Sequence, residues 1–405
     1  MRCYDIVIIG GGHGGVQLSA LLRQYGFQGS LLIVSEDDHI PYQRPPLSKD
    51  WLKGELSSED LALKDASFYN DNTIDLDLGT SVLRIDKVNK RLSTCDQTIG
   101  YEKLVLATGT RLRSLPDKAF ANHDAKINAM SLYDLGGAQR IKQALGLGGP
   151  FSIIGGGYIG LELAATARLM GHDVRVFERD SHLLARTASM ALSDSLQKKH
   201  ESMGVEFHFR VNDVLIDKDQ LSIDNHSHFY HRHVIIGIGA LANDQLARES
   251  GLSCENGIVV NDFAQTTDES IYAIGDVSLR PHTLLGRSVR LESVPSALEQ
   301  ARILACHLTN RASPAQEVPW FWSDQYDFKI QIAGLYQPNG ATMVKRCDDN
   351  SFSILHLDAE NVLVAAECVN RPADFMAAKQ LIHKRISLRV DELDNPQQTL
   401  KSYLT

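Results

Sequence analysis

Tyr4-Asp5-Ile6-Val7-Ile8-Ile9-Gly10-Gly11-Gly12-His13-Gly14-Gly15 decides the fold. The apolar, largely β-branched run from Tyr4 to Ile9 predicts a buried parallel strand. Gly10, Gly12 and Gly15 then fit Gly-x-Gly-x-x-Gly, and Val16 to Tyr25 carries Val16, Ala20, Leu21 and Leu22 at helical spacing. A second strand at Leu31 to Val34 runs into Ser35-Glu36, which completes a βαβ unit with a carboxylate after its second strand. The unit recurs. Phe151 to Ile154 reads as a strand, Gly155-Gly156-Gly157-Tyr158-Ile159-Gly160 as the turn and Leu161 to Met170 as the helix. Val174 to Phe177 follows as a strand ending at Glu178.

In each turn the first glycine permits the tight bend, and the second lets a pyrophosphate approach the backbone. The third lets helix and strand pack closely, and the phosphate meets the free N–H groups and positive dipole end of the helix. One such match is a weak signal. Two matches, each set between strand and helix and each followed by a carboxylate, imply two dinucleotides in one chain. The order suggests FAD first and a nicotinamide nucleotide second. Glu36 is expected on the adenosine ribose of FAD, and Glu178 on the equivalent ribose of the other nucleotide. A carboxylate there repels a 2′-phosphate, which favours NADH over NADPH; Arg179 beside it works the other way.

At 405 residues the chain is long enough for two or three domains. Hydrophobic residues at 43% and charged residues at 22% are ordinary for a globular enzyme. A net charge of -9 argues against nucleic acid as the main partner. No apolar run is long enough to span a bilayer, so no membrane is expected. Met1-Arg2-Cys3-Tyr4-Asp5 runs straight into a strand without a signal peptide, and a cytoplasmic location is the expectation. Cys3, Cys95, Cys254, Cys306, Cys347 and Cys368 form no close pair, so neither a redox dithiol nor a cysteine-based metal site is signalled.

Further segments punctuate the chain. Leu104 to Thr110 is an apolar strand entering a small-residue turn, Val234 to Ile238 is another, and Ser270 to Asp276 is a strand delivering an aspartate. From Pro319 the character changes to short alternating strands near Lys329 to Leu335, Phe352 to Leu357 and Val362 to Cys368, then a helix around Asp374 to Lys384. His226, His228, His231 and His233 alternate as in a hairpin and match no zinc spacing, so no metal is assigned.

Pro41-Tyr42-Gln43-Arg44-Pro45-Pro46-Leu47-Ser48-Lys49, set after the first fingerprint, resembles the putidaredoxin reductase type of ferredoxin reductase; apoptosis-inducing factor shares much of it. The likeness continues through Ala107-Thr108-Gly109, Gly155 to Glu162, Gly237-Ile238-Gly239-Ala240-Leu241 and Ile274-Gly275-Asp276. It returns in Arg290 to Ala301, Pro319 to Tyr326 and Asn370-Arg371-Pro372, and so covers nearly the whole chain. The resemblance implies an α/β fold: two Rossmann-like dinucleotide-binding domains plus a C-terminal α+β domain. An FAD domain would comprise 1-113 and 246-318, an inserted NADH domain 114-245, and a C-terminal domain 319-405 covering the flavin.

By that resemblance Gly14, Glu36, Arg44, Lys49, Val82, Asp276 and Val294 fall at FAD-contacting positions, with Asp276 on the ribityl chain and Val294 near the ring. Lys49 would be the cation near the flavin, and Glu162 the carboxylate at the nicotinamide end of NADH. Trp322 would be the aromatic lining the flavin pocket from the C-terminal domain. In one respect the chain departs from the family. Where relatives carry Leu-Arg-Thr, with an arginine touching FAD, this chain reads Ala129-Met130-Ser131; Arg111 or Arg113 are candidate substitutes.

Relatives that pass electrons to disulfides need a dithiol beside the flavin, and NADH oxidases or peroxidases keep a cysteine where this chain reads Tyr42 to Ser48. With neither present, the expected function is direct one-electron transfer to a [2Fe-2S] ferredoxin that serves a cytochrome P450 or a ring-hydroxylating oxygenase. Rubredoxin reduction by the same architecture is the nearest alternative. An NADH-sensing interaction protein like apoptosis-inducing factor is another, which no targeting segment or basic run supports.

Overall fold

A computed structural model describes residues 2–224, 227–336, 340–393 and 399–404, excepting the side chains of 344–347. The chain forms two compact units. One comprises Met1–Gln43, Ser58–Arg111 and Ala240–Pro319; the other comprises Arg44–Ser57, Leu112–Gly239 and Trp320–Thr405.

The first unit is built on a parallel sheet in the order Ile74–Leu78, Leu31–Ser35, Arg2–Ile9, Thr98–Leu106, with Ile271–Ala273 paired to the last. A short antiparallel hairpin, Arg84–Asp86 with Arg91–Ser93, extends Thr98–Leu106 at its start. Both faces of the sheet are covered, which is why its strands read as continuous apolar runs. On one face Leu18, Leu21 and Leu22 of helix His13–Gln24 pack with Ala301, Leu304 and Ala305 of helix Val294–Leu308. On the other, Tyr4, Val7, Leu104 and Leu106 pack with Leu252, Ile258 and Val277.

The second unit repeats the theme. Val205–His208, Val174–Phe177, Phe151–Ile154 and His233–Ile236 form a parallel sheet in that order, and helix Tyr158–Leu169 follows the second glycine turn. Val214–Ile216, Gln220–Ile223 and Ser227–Tyr230 make a three-stranded antiparallel sheet, so the histidine-rich stretch does supply a hairpin strand. The C-terminal part is a five-stranded antiparallel sheet carrying helix Pro372–Lys384. Its order is Trp320–Gln325, Phe328–Gly334, Leu363–Val369, Ser351–Leu357, Ala341–Asp348.

Of the stretches read from sequence as 114-245 and 319-405, the parts up to Gly239 and from Trp320 lie together in this second unit, joined by Arg44–Ser57 from the stretch read as 1-113, while Ala240–Pro319 belongs to the first unit. The two stretches share one core. Leu161, Leu183, Leu192 and Leu196 of the former pack with Phe328, Ile330, Phe352 and Ile354 of the latter. Two buried carboxylates fasten the same seam. Glu367 of the C-terminal sheet, 0% exposed, accepts the Ser189 backbone N–H at 2.8 Å at the start of helix Met190–Ser202, together with the Ser189 hydroxyl. His356 lies 3.0 Å from the same carboxylate. An anion at a helix N-terminus is favourably placed, and its buried oxygens are satisfied. The other carboxylate is Glu162.

Candidate active site

The two glycine turns have the same local construction. Gly10 has φ +119° and Gly155 φ +109°, a region that L side chains rarely occupy. A Cβ on Gly15 would stand 2.2 Å from the Gly10 carbonyl oxygen, and one on Gly160 would stand 2.2 Å from that of Gly155. A Cβ on Gly12 or Gly157 would meet nothing within 4 Å. The outer glycines thus answer to the protein's own backbone, whereas the middle one faces open space. Helices His13–Gln24 and Tyr158–Leu169 also begin on these middle glycines with no side-chain cap. Helices starting after Asp134, Ser189 and Ser293 are each capped by the side chain of that residue. Uncapped N–H groups facing open space beside a glycine fit a pyrophosphate, one in each unit.

The two carboxylates differ. Glu36, just past Leu31–Ser35, is exposed. Glu178 is held: one oxygen accepts the Gly156 N–H at 2.6 Å and the other the Asp180 N–H at 2.8 Å. Arg179 is 73% exposed and 3.9 Å from Asp180. Arg186, which sequence reading passed over, brings its guanidinium to 3.3 Å from where a Cβ on Gly239 would sit. Gly239 itself has φ +93°, and Ile159 is exposed on the first turn of the second fingerprint helix.

In the first unit the remaining expected residues sit on loops leaving the parallel sheet. Ala107, Thr108 and Gly109 follow Thr98–Leu106, and the Thr108 hydroxyl donates to the Asn243 carbonyl at 2.7 Å. Asp276 lies in the one-turn 3-10 helix Gly275–Val277 after Ile271–Ala273. Gln300, buried on Val294–Leu308, fixes that turn by accepting the Gly275 N–H at 2.9 Å and the Ser278 hydroxyl at 2.6 Å. Arg290 adds a bond to the Asp276 carbonyl at 3.1 Å. Val294 opens the helix that Ser293 caps, Val82 packs half-buried on the core, and Gly14 lies against Ile274 and Ala297. Gln300 and Arg290 stand inside the quoted block Arg290 to Ala301, but nothing in their spacing names the distant turn they hold.

In the second unit Lys49 and Glu162, expected at two different cofactors, are ion-paired at 3.0 Å. Glu162 is 4% exposed, and also accepts the Ser48 hydroxyl at 2.5 Å and the Ser323 hydroxyl at 2.6 Å. A buried charge with a partner and further donors avoids the cost of burial alone. The Tyr158 ring packs edge-on to Phe321 at 5.0 Å, and Trp322, partly exposed, lies 5.7 Å from Trp320. Arg44 stacks on Tyr133 at 4.6 Å and donates to its carbonyl at 3.1 Å. Met130 is 5% exposed and pairs through its backbone with Val234 and Ile236, so a buried apolar side chain stands at this position beside the sheet.

The described histidines of this stretch have separate partners and are not among the residues whose potential ligand atoms come together. His228 bonds Ser222 at 2.7 Å, His231 is buried, and His233 stacks on Phe151 at 4.8 Å; His226 lies outside the described residues. Among the described residues, one group of potential ligand atoms comes together, those of Asp37, Asp38 and His39, at the surface. Burial pushes the thiol of Cys368 up to about 12 and that of Cys254 upward, which disfavours the reactive thiolate.

Fold and site together define an oxidoreductase with two dinucleotide sites, and the comparisons with known proteins agree. Residues 4–301 match the family described as "Pyridine nucleotide-disulphide oxidoreductase" and residues 320–404 match "Reductase C-terminal". Rhodocoxin reductase from Rhodococcus erythropolis is 35% identical over 404 residues, covering 98% of this chain and 93% of that protein. The rubredoxin-NAD(+) reductase of Pseudomonas putida is 33% identical, covering 91% of this chain and 96% of that protein. The reductase in the crystal structure of the covalent putidaredoxin reductase–putidaredoxin complex superposes with a TM-score of 0.94 at 32% identity, covering 99% of this chain and 98% of that one. The chain belongs to the pyridine nucleotide-disulphide oxidoreductases, and within them to the FAD-dependent ferredoxin reductases of the putidaredoxin reductase type. No helix among the described residues is long and apolar enough to cross a membrane.

Proposed function

We propose that this chain takes electrons from NADH and delivers them one at a time to a [2Fe-2S] ferredoxin, which in turn serves a cytochrome P450 or a ring-hydroxylating oxygenase. The observation that carries the reading is the pair of open, uncapped glycine turns in a chain whose Tyr42 to Ser48 segment holds no cysteine. When bound, FAD supplies the chemistry that accepts a hydride and releases single electrons. The chain's own residues bind and orient. Gly10, Gly12, Gly15, Glu36 and Asp276 serve FAD; Gly155, Gly157, Gly160, Glu178 and Gly239 serve NADH. Lys49 stabilises negative charge on the reduced ring. Glu162 orients the nicotinamide, and Trp322 covers the flavin. NADH as donor makes the cytoplasm the compartment in this reading.

The names of rhodocoxin reductase and of the putidaredoxin complex support a ferredoxin as the acceptor. The rubredoxin-NAD(+) reductase relative supports rubredoxin as the second reading. Cytochrome c reduction by NADH separates them: rapid turnover is expected on adding a [2Fe-2S] ferredoxin and slow turnover with rubredoxin. The reverse order overturns the ferredoxin assignment, and rapid turnover with no carrier overturns both.

A further inference from the structure

The hydrogen bonds to Glu162 do not end at Ser323. Gln325 Nε2 donates to Ser323 Oγ at 3.1 Å, His200 Nε2 lies 2.8 Å from Gln325 Oε1, and the Tyr326 hydroxyl lies 3.2 Å from His200 Nδ1. Ser323, Gln325 and His200 are all buried, on strand Trp320–Gln325 and helix Met190–Ser202.

The direction of every bond follows from the carboxylate end. Ser323 Oγ sits 2.6 Å from Glu162 Oε1, so its hydrogen points there and its lone pairs accept from the Gln325 amide NH2. The opposite amide orientation would draw that hydrogen away and set oxygen against oxygen. The amide oxygen therefore faces His200, whose Nε2 carries the proton, and Nδ1 accepts from Tyr326. Burial pushes His200 down to about 4, so near neutral pH the ring has the single N–H that this arrangement uses. All the donors point towards Glu162. Lys49 Nζ shares Oε1 at 3.0 Å, Ser48 occupies Oε2, and Asp324 stands 3.9 Å behind Lys49. The Tyr158 hydroxyl, buried near Thr187, belongs to the same helix as Glu162.

We propose that Ser323, Gln325, His200 and Tyr326 are positioning residues, a one-way hydrogen-bond relay that fixes the rotamer of Glu162 for the nicotinamide of NADH, and that through the ion pair it also holds Lys49 in place. The inference rests on the reading of Glu162 as the carboxylate that meets that ring. A relay of this kind predicts coupled, non-additive losses, because cutting any link frees the same carboxylate.

The test uses the full-length FAD-loaded protein, with anaerobic flavin reduction by NADH, NAD+ affinity by titration, and melting temperature. Ser323→Ala and Gln325→Met are each expected to lower the limiting rate of flavin reduction about tenfold and to weaken NAD+ about threefold. Ser323→Thr, which keeps the hydroxyl, should restore both, and the double variant should be no worse than Ser323→Ala. Tyr326→Phe, at the half-buried end, should lower the rate about twofold, and it carries the test if Ser323→Ala does not fold. Wild-type rate and affinity in Ser323→Ala, alongside losses in Glu162→Gln, would overturn the relay and leave the reading of Glu162 standing. Wild-type behaviour in Glu162→Gln would overturn that reading itself. Additive losses that track only the melting temperature would reduce the relay to a structural tie and refute the proposal.

Discussion

The two glycine turns share dihedral angles, helix length and the distances that forbid a Cβ, yet their carboxylates are handled differently. Glu36 is left exposed after its strand, whereas Glu178 is tethered to Gly156 and Asp180. A carboxylate held by two backbone donors cannot swing away from an incoming 2′-phosphate, so its repulsion is fixed in place. In the proposed reading, in which the second turn takes NADH and the first FAD, the tethered carboxylate would serve selection of a nucleotide exchanged at every turnover, and the exposed one would have no such choice to make.

The largest expected effect tests whether the turns really share their construction. Gly15→Ala and Gly160→Ala each force a Cβ onto a carbonyl oxygen 2.2 Å away. Each should cost about 3 kcal/mol or more, at the upper end of overpacking, read from denaturant melts. A wild-type midpoint in either would break the equivalence.

Gly12→Ala and Gly157→Ala separate folding from binding. Both face open space, so stability should fall by less than about 1 kcal/mol. Gly12→Ala should purify depleted of FAD. Gly157→Ala should keep FAD but bind NADH at least about tenfold more weakly, ~1.4 kcal/mol. Loss of the other ligand in either case would exchange the assignments.

Acid should weaken both units, because each buries a neutral histidine. Burial pushes His282 in the first unit and His200 in the second down from 6.5 to about 4. Between those values the unfolded chain binds a proton that the folded chain excludes, so stability falls as pH drops through that window. The slope approaches ~1.4 kcal/mol per pH unit for each histidine. His200→Gln and His282→Gln should each flatten one share of it in pH-resolved melts; an unchanged slope in one variant would remove that unit from the account.

The smallest effect bears on selection itself. NADH should exceed NADPH in kcat/KM by at least about tenfold, and Glu178→Ala should shrink the gap severalfold. Glu36→Ala should leave the ratio unchanged. Equal efficiencies in the wild type would show that Arg179 or Arg186 governs the choice instead.

Both βαβ units were legible because their signals are local: an apolar run, glycines at fixed offsets, and a helical period of a few residues. The expected strand Phe151 to Ile154 and the aspartate after Ile271–Ala273 stand where the pattern put them. The polar edge strand Ala341–Asp348 has too weak an alternation to stand out. The Glu162 cluster was hidden for another reason. Its partners Ser48 and Ser323 lie 114 and 161 residues away along the chain, and no spacing rule reaches that far. Lys49 and Glu162 were each singled out, but from different cofactors, so their pairing emerged only in three dimensions. Met130 illustrates the same limit: the resemblance implies an arginine at this position, while the structure shows a buried methionine whose backbone pairs with Val234 and Ile236.

The interleaving of the two units has a consequence for the order of events on the ribosome. Thr98–Leu106 leaves the ribosome long before its partner strand Ile271–Ala273, and helix His13–Gln24 long before Val294–Leu308. At roughly 5–20 residues per second the nascent first unit holds an open sheet edge and an uncovered helix face for many seconds. Its final segment, Ala240–Pro319, is made only after the whole of Leu112–Gly239. Asp276 and the helix that steadies it arrive in that last segment, so with Asp276 in its proposed role capture of the flavin would wait for late translation.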